Sequence, residues 1–376
     1  LTALYWRRFP ALTREKEIVM SDGLEGVVAA ETVLSEVDGA AGVLIIRGRS
    51  LDELAGHAHY EDVVALLFEG FYPDLPADVP AALGRARAEV FAEVSALDTG
   101  LLDRTPIEAM RALTAQLADG DDLAVAFRLL AAPAVFTAAV VRAQSGEAPV
   151  APDPTLGHSA DILRMLRGKP GSKAEADALD TYLVTVADHG LNASTFAARV
   201  VASTRAGLGS AVLAGVSALK GPLHGGAPGP IIEMLDEIGE PANARAWIES
   251  ALARGDRLMG FGHRIYKVRD PRADALKSAV RWLDARQGRL EFAEAVEAAA
   301  LAILREHKPE RSLQTNVEFY TALLLEALDF PPSAFTCVFA MGRVAGWLAH
   351  AREQLAGGRL IRPASIYVGP MPKKAA

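Results

Sequence analysis

Three histidines stand among glycines. His189 lies in Ala187-Asp188-His189-Gly190-Leu191-Asn192, His224 in Gly221-Pro222-Leu223-His224-Gly225-Gly226, and His263 directly follows Gly260-Phe261-Gly262. Glycine lets a backbone turn sharply and brings N–H groups close to a bound anion. One histidine in such a setting is more often structural than functional; three in one chain point to a site. The remaining histidines, His57, His59, His158, His307 and His350, read as structural.

Arginines extend the pattern. Arg272 stands in Asp270-Pro271-Arg272, Arg343 follows the apolar run from Phe335 to Met341, and Arg362 stands in Leu360-Ile361-Arg362-Pro363. A guanidinium in an apolar segment needs a partner, because an unpaired buried charge is costly. Two readings stay open for each: a salt bridge within the chain, or a clamp for a small polycarboxylate, which the planar guanidinium matches in bidentate fashion. Glu318, in Thr315-Asn316-Val317-Glu318-Phe319-Tyr320, also has two. It is either a solvated glutamate on an amphipathic helix or a partly desolvated carboxylate with a raised pKa, and hence a stronger base.

Helices must position these groups. Residues 105–117 and 174–187 carry apolar positions at helical spacing, and almost everything after Ser50 repeats it. His189 falls where one helix ends and another begins. The densest breaker cluster, residues 221–230, suits a domain junction, and Pro331-Pro332 interrupts the helices again. Residues 42–48 form a short β-branched run and predict a small strand. The apolar run from Leu123 to Val141 contains Arg128 and Pro133, which suit a membrane span poorly; it predicts a pair of buried core helices broken near Pro133.

Composition sets the bounds. A chain of 376 residues suggests two or three domains. Its net charge of −8 argues against general nucleic-acid or anionic-membrane binding. The single cysteine, Cys337, excludes an internal disulfide framework and multi-cysteine metal sites, and suits a reducing, cytoplasmic setting. Aromatic residues at 6% favour close-packed helices over a β-sandwich. Residues 1–20 lack a continuous apolar stretch of the signal-peptide kind, so residues 1–22 read as an amino-terminal extension.

The motifs carry a resemblance. Gly221-Pro222-Leu223-His224-Gly225-Gly226-Ala227, Met259-Gly260-Phe261-Gly262-His263-Arg264-Ile265-Tyr266-Lys267 with Asp270-Pro271-Arg272, Asn316-Val317-Glu318-Phe319-Tyr320, and Phe339-Ala340-Met341-Gly342-Arg343-Val344-Ala345-Gly346-Trp347 resemble the citrate synthase family in order and spacing. Residues 23–29 and Ile46-Arg47-Gly48 resemble its amino-terminal signature; Arg362-Pro363 with Ile366-Tyr367-Val368-Gly369 resembles its end. The likeness covers residues 23–370.

What the resemblance implies is specific. The fold would be mainly α, multi-helical and two-domain, with a few short amino-terminal strands. The large domain would comprise residues 23–224 and 332–376, and the small domain residues 225–331. The reaction would condense acetyl-CoA with oxaloacetate and hydrolyse the thioester, as in the tricarboxylic acid cycle. Glu318 would be the base, where the family usually has Asp. His224 would stabilise the enol or enolate, and His263 would polarise the ketone. His189, Asn192, Arg272, Arg343 and Arg362 would bind oxaloacetate, with Arg362 reaching the partner's site in a homodimer. Leu258, Met259, Gly260, Gly262, Lys267 and Arg311 would bind CoA. No permanent cofactor, metal, nucleic acid or membrane is implied; the acyl-CoA, acetyl or propionyl, is a co-substrate.

Three rivals remain at this stage. A 2-methylcitrate synthase preferring propionyl-CoA shares every motif, and one methylene in an apolar pocket is worth only about 1 to 3 kcal/mol. A weakly active or non-catalytic CoA- and oxaloacetate-binding paralogue is the second, because the longer Glu318 shifts the carboxylate. A metallohydrolase built on the three histidines is the third, and the chain lacks a His-Glu-x-x-His helix for it.

Overall fold

The computed structural model describes residues 22–24, 26–225, 229–263, 265–283 and 287–372. Most of the amino-terminal extension, Glu25, Gly226 to Pro228 and Arg264 lie outside the described residues. Leu1–Val33 and Leu34–Ala376 separate into two compact units. In the first, Asp22–Leu24 forms one 3-10 turn.

The second unit opens with a three-stranded antiparallel sheet. β1 (Ser35–Asp38) pairs with β2 (Val43–Ile46), Ser35 opposite Ile46, and β2 pairs with β3 (Arg49–Ser50). The strand expected in residues 42–48 is β2. Sixteen α-helices follow among the described residues. They are α1 (Leu51–Leu54), α2 (Tyr60–Phe68), α3 (Val79–Phe91), α4 (Thr99–Leu102), α5 (Pro106–Thr114), α6 (Leu123–Gln144), α7 (His158–Arg167) and α8 (Lys173–Val186). Then come α9 (Ala193–Ala202), α10 (Leu208–Leu219), α11 (Gly229–Ile238), α12 (Ala244–Ala253), α13 (Pro271–Arg281), α14 (Gln287–His307), α15 (Val317–Ala327) and α16 (Phe335–Gly357). The mainly α architecture with few short strands matches the expectation.

Local chemistry starts these helices. Ser172 and Glu175 form a capping box on α8. The three helices that begin beside the candidate site carry Asx caps: Asn192 on α9, Asp270 on α13 and Asn316 on α15. Each cap accepts a backbone N–H of the first turn and fixes where that helix starts.

One expectation is corrected. Pro133 does not split residues 123–144 into two helices; it lies inside the single helix α6. Proline removes one hydrogen bond from a helix interior, at about 3 kcal/mol. Here every residue from Leu129 to Val140 is buried, and that packing outweighs the local defect. The helix is long and apolar enough to span a membrane, and 83% of its most apolar window is buried inside the protein.

Helix α6 packs against α3, α5, α7 and α16, while α16 also covers α8, α9 and α10. Small residues permit the close approaches. A Cβ on Gly215 of α10 would stand 2.7 Å from the Trp347 ring, and one on Gly342 of α16 would stand 2.5 Å from Val186 Cγ2. Trp347 is fully buried; truncating a side chain of that size costs about 3 to 5 kcal/mol.

Candidate active site

Three of the chosen side chains meet around Tyr266. His189 Nε2 lies 3.1 Å from Tyr266 Oη, and the His189 and His263 ring centroids are 5.8 Å apart. The His263 ring sits 4.9 Å from that of Tyr266, whose face also receives the Arg272 guanidinium at 5.6 Å. Arg343 belongs to the same electrostatic group, since its charge acts on His189 and on Glu318.

His263 has a defined tautomer. The backbone N–H groups of Ile265 and Tyr266 both donate to its Nδ1, each at 3.1 Å. Burial, aided by the Arg272 charge, lowers its pKa to about 4, so the ring is neutral. With Nδ1 accepting, the proton sits on Nε2. The 3.4 Å approach of Arg272 Nη2 to that nitrogen is then a contact between donors. A neutral imidazole with its N–H outward can polarise a carbonyl oxygen and give up a proton as an alkoxide forms. His189 is likewise neutral: burial, then the Arg272 and Arg343 charges, push its pKa well below the ordinary value.

The two buried arginines differ. Arg272 is held by Asp270, Nε to Oδ1 at 3.0 Å and Nη2 to Oδ2 at 2.8 Å. Burial works against its charge, yet Asp270 keeps the pKa above the ordinary value. Arg343 makes one hydrogen bond among the described residues, from Nε to Val186 O at 2.6 Å, and lies over the Phe339 ring at 4.9 Å. Burial lowers its pKa to about 10, with Asp188 opposing and Arg272 adding to the shift. Gly342 and Gly346 let α16 approach the end of α8 closely enough for that geometry.

Glu318 is the acid of the site. It occupies the first turn of α15, where its N–H is capped by Asn316 Oδ1 at 3.0 Å. Its carboxylate makes no hydrogen bond among the described residues. Burial raises its pKa to about 7, against the opposing charges of Arg272 and Arg343 and with help from Asp270. The side chain is half-buried, and the raised pKa supports the reading as a partly desolvated carboxylate.

His224 packs against Phe339, the ring that Arg343 also faces. Its Nε2 lies 2.8 Å from Ser194 Oγ, and its ring centroid lies 6.2 Å from that of Phe339. Ser194 Oγ also receives the Trp347 indole N–H at 3.1 Å and donates to Asn192 Oδ1 at 2.8 Å. Asn192 therefore acts in this single chain as a helix cap whose amide orders Ser194. Arg362 is exposed on the extended carboxy-terminal segment, where the neighbouring Ile361 N–H donates to Ser203 Oγ at 3.1 Å.

A second region adjoins His263. A cavity of about 470 Å³ is lined by Leu252, Leu258, Phe261, Leu304 and Leu313, with Arg257, Lys267, Lys308 and Arg311 among its charged residues and Asp256 as its acid. Apolar walls with clustered cations suit a ligand that joins a ring system to phosphates. Of the residues read as CoA-binding, Leu258, Gly262, Lys267 and Arg311 line it, whereas Met259 and Gly260 do not. Gly260 turns the loop instead, at φ 85°, and lies against Phe319.

Residues 23–364 match the family described as citrate synthase, C-terminal domain. The chain belongs to the citrate synthase family. It is an acyltransferase that forms a carbon–carbon bond. A citrate synthase of Haloferax volcanii is 37% identical over 92% of this chain and 95% of its own length. A 2-methylcitrate synthase of Mycobacterium tuberculosis is 36% identical over 92% and 90%. Among solved structures, the citrate synthase of the archaeon Thermoplasma acidophilum, a ternary complex with carboxymethyl coenzyme A and oxaloacetate, matches with a TM-score of 0.82 at 29% identity over 94% of this chain and 97% of that one.

Within this citrate synthase fold, several residues at the site escaped sequence reasoning. Tyr266 lies inside a quoted motif and Ser194 two residues past another, but nothing in their spacing marks them as partners of His189 and His224. Arg257 and Lys308 also line the cavity; Lys308 stands three residues before Arg311, and that pairing of cations was a usable signal. Asp188 is fully buried, accepts from Ser35 Oγ and lies 3.2 Å from His350 Nε2, which anchors the loop that presents His189. Among the described residues no three His, Cys, Asp or Glu side chains group as a metal site.

Proposed function

We propose that the chain condenses acetyl-CoA with oxaloacetate and hydrolyses the thioester, giving citrate and CoA. Glu318 takes a proton from the acyl methyl carbon. His224 stabilises the enol or enolate. His263, neutral with its proton on Nε2, donates to the ketone oxygen as it becomes an alkoxide. Arg272, Arg343 and His189 bind the oxaloacetate carboxylates. The cavity of Arg257, Lys267, Lys308 and Arg311 holds the CoA phosphates, and Leu258 and Gly262 lie against its adenine. The observation that carries the reading is Glu318: a carboxylate without a hydrogen bond among the described residues, pushed up to about 7 by burial against the charges of two buried guanidiniums. At neutral pH such a group is close to half ionised and is poised to accept a proton.

The large domain, in this reading, comprises residues 23–224 and 332–376, and the small domain residues 225–331. Closure about the segment at His224 follows oxaloacetate binding and completes the acyl-CoA site. The protein works as a cytoplasmic homodimer, in which the exposed Arg362 of one protomer reaches the site of the other. The motifs equally suit 2-methylcitrate synthesis, and the near-equal identities to the Haloferax and Mycobacterium relatives support keeping that second reading. One assay tests both: CoA release from oxaloacetate with acetyl-CoA and propionyl-CoA in competition. A higher kcat/KM for acetyl-CoA is expected. The reverse ratio would favour 2-methylcitrate, and release with neither donor would sink the synthase reading.

A further inference from the structure

Glu297 lies outside every group assigned above, yet four donors converge on it. It sits in the middle of α14 with 5% of its surface exposed. Its Oε1 accepts from Thr315 Oγ1 at 2.6 Å and from Arg269 Nη1 at 2.8 Å. Its Oε2 accepts from Tyr320 Oη at 2.5 Å and from Lys277 Nζ at 3.5 Å. Burial works to raise its pKa, but the bonds from Thr315, Tyr320 and Arg269 outweigh it and hold the carboxylate below its usual range.

Two of those donors bracket Glu318. Thr315 precedes it by three residues and Tyr320 follows it by two. Thr315 also forms a β-bridge with Phe261, and Gly262 N–H donates to Gln314 O at 2.7 Å, immediately before His263. The Glu318 carboxylate has no hydrogen bond of its own among the described residues, so its position is set by the backbone that carries it. That backbone is tied outward by Asp270, which accepts from Val317 N–H at 3.1 Å, and by Glu297 on both flanks. A buried ion is no better than an apolar residue for filling space. Two carboxylate oxygens at a fixed separation can, however, lock two side chains of the same segment against another helix.

We infer that Glu297 is a positioning residue for the reaction: it fixes the segment from Thr315 to Tyr320 so that Glu318 meets the acyl carbon, and through Thr315 it steadies the strand-like segment leading to His263. The inference rests on Glu318 being the base.

The test compares the full-length enzyme with Glu297→Gln, Tyr320→Phe and Glu318→Gln. Glu297→Gln is expected to lower kcat about 10- to 100-fold, as a displacement near 1 Å does, with KM for oxaloacetate within about two-fold of wild type. Tyr320→Phe keeps the ring and three of the four donors, and should lower kcat by about three- to ten-fold. Combined, the two should cost no more than Glu297→Gln alone, because both break one tie. The acid limb of the kcat profile should move to lower pH, as a loosened Glu318 regains water among Arg272, Arg343 and Asp270. A role in folding alone would lower thermal stability and leave that limb in place. Wild-type kcat and an unmoved acid limb in folded Glu297→Gln and Tyr320→Phe, with Glu318→Gln inactive, would overturn this inference only. An active Glu318→Gln would overturn the assignment of the base, and the inference with it.

Discussion

The two halves of the proposed site place their cations, on a net-acidic protein, in opposite ways. Around Tyr266 the cations are buried: Arg272 is 3% exposed and Arg343 1%. Around the cavity beside His263, Arg257, Lys267 and Arg311 are exposed over an apolar floor. A buried guanidinium gives up hydration, so it gains from a carboxylate only when the geometry is right, and it then discriminates strongly. An exposed cation gives up little and gains little, and salt screens it. The first arrangement suits selecting a ligand, and the second suits gathering a charged one.

Within the buried half the two arginines sharpen the point. Arg272 already has a carboxylate, Asp270, whereas Arg343 has a backbone carbonyl and an aromatic face. Arg343 is therefore the cation with most to gain from a bound dicarboxylate.

The largest effect belongs to Glu318, which both halves serve. Glu318→Gln should cut turnover by about 1,000-fold or more while sparing oxaloacetate binding, as measured by CoA release and calorimetry. The same variant tests the raised pKa. A carboxylate whose folded pKa lies above its unfolded value costs stability at pH above about 7 and none below about 4.5. Glu318→Gln should therefore unfold later than wild type at pH 8, by on the order of 2 kcal/mol, and the gain should vanish by pH 4.

Next comes Arg343→Met. Oxaloacetate KM should rise about 100-fold, the worth of a desolvated charge-assisted pair. Thermal unfolding should occur at an equal or higher temperature, because burial opposes this charge in the folded state. A lower Tm together with an unchanged KM would mean that Arg343 serves the fold.

The smallest effect is expected at the cavity. Replacing Lys308 and Arg311 together by Gln should raise acyl-CoA KM about ten-fold at low salt and flatten its dependence on ionic strength, with oxaloacetate KM unmoved. Equal loss at low and high salt would erase the contrast between the halves.

Much of this was legible in one dimension. Glycine-flanked histidines, arginines in apolar runs and an acid among aromatics marked where a site could lie, because such residues are expensive unless something uses them. The helices were legible from their spacing and the strand from its β-branched run. Pro133 misled, since a proline rule describes an isolated helix and α6 is held by burial on every side.

Sequence alone also determined which residues carry charge and which loops must turn. The tertiary structure decided which charge goes unpaired, which tautomer His263 adopts and which carboxylate loses its water. Ser194, Tyr266 and Glu297 show why. Ser194 meets Trp347, 153 residues away; His189 meets Tyr266 across 77; and Thr315 meets Glu297 across 18. A pKa or a hydrogen bond depends on distances of a few ångströms, and chain order does not encode distances across a packed core.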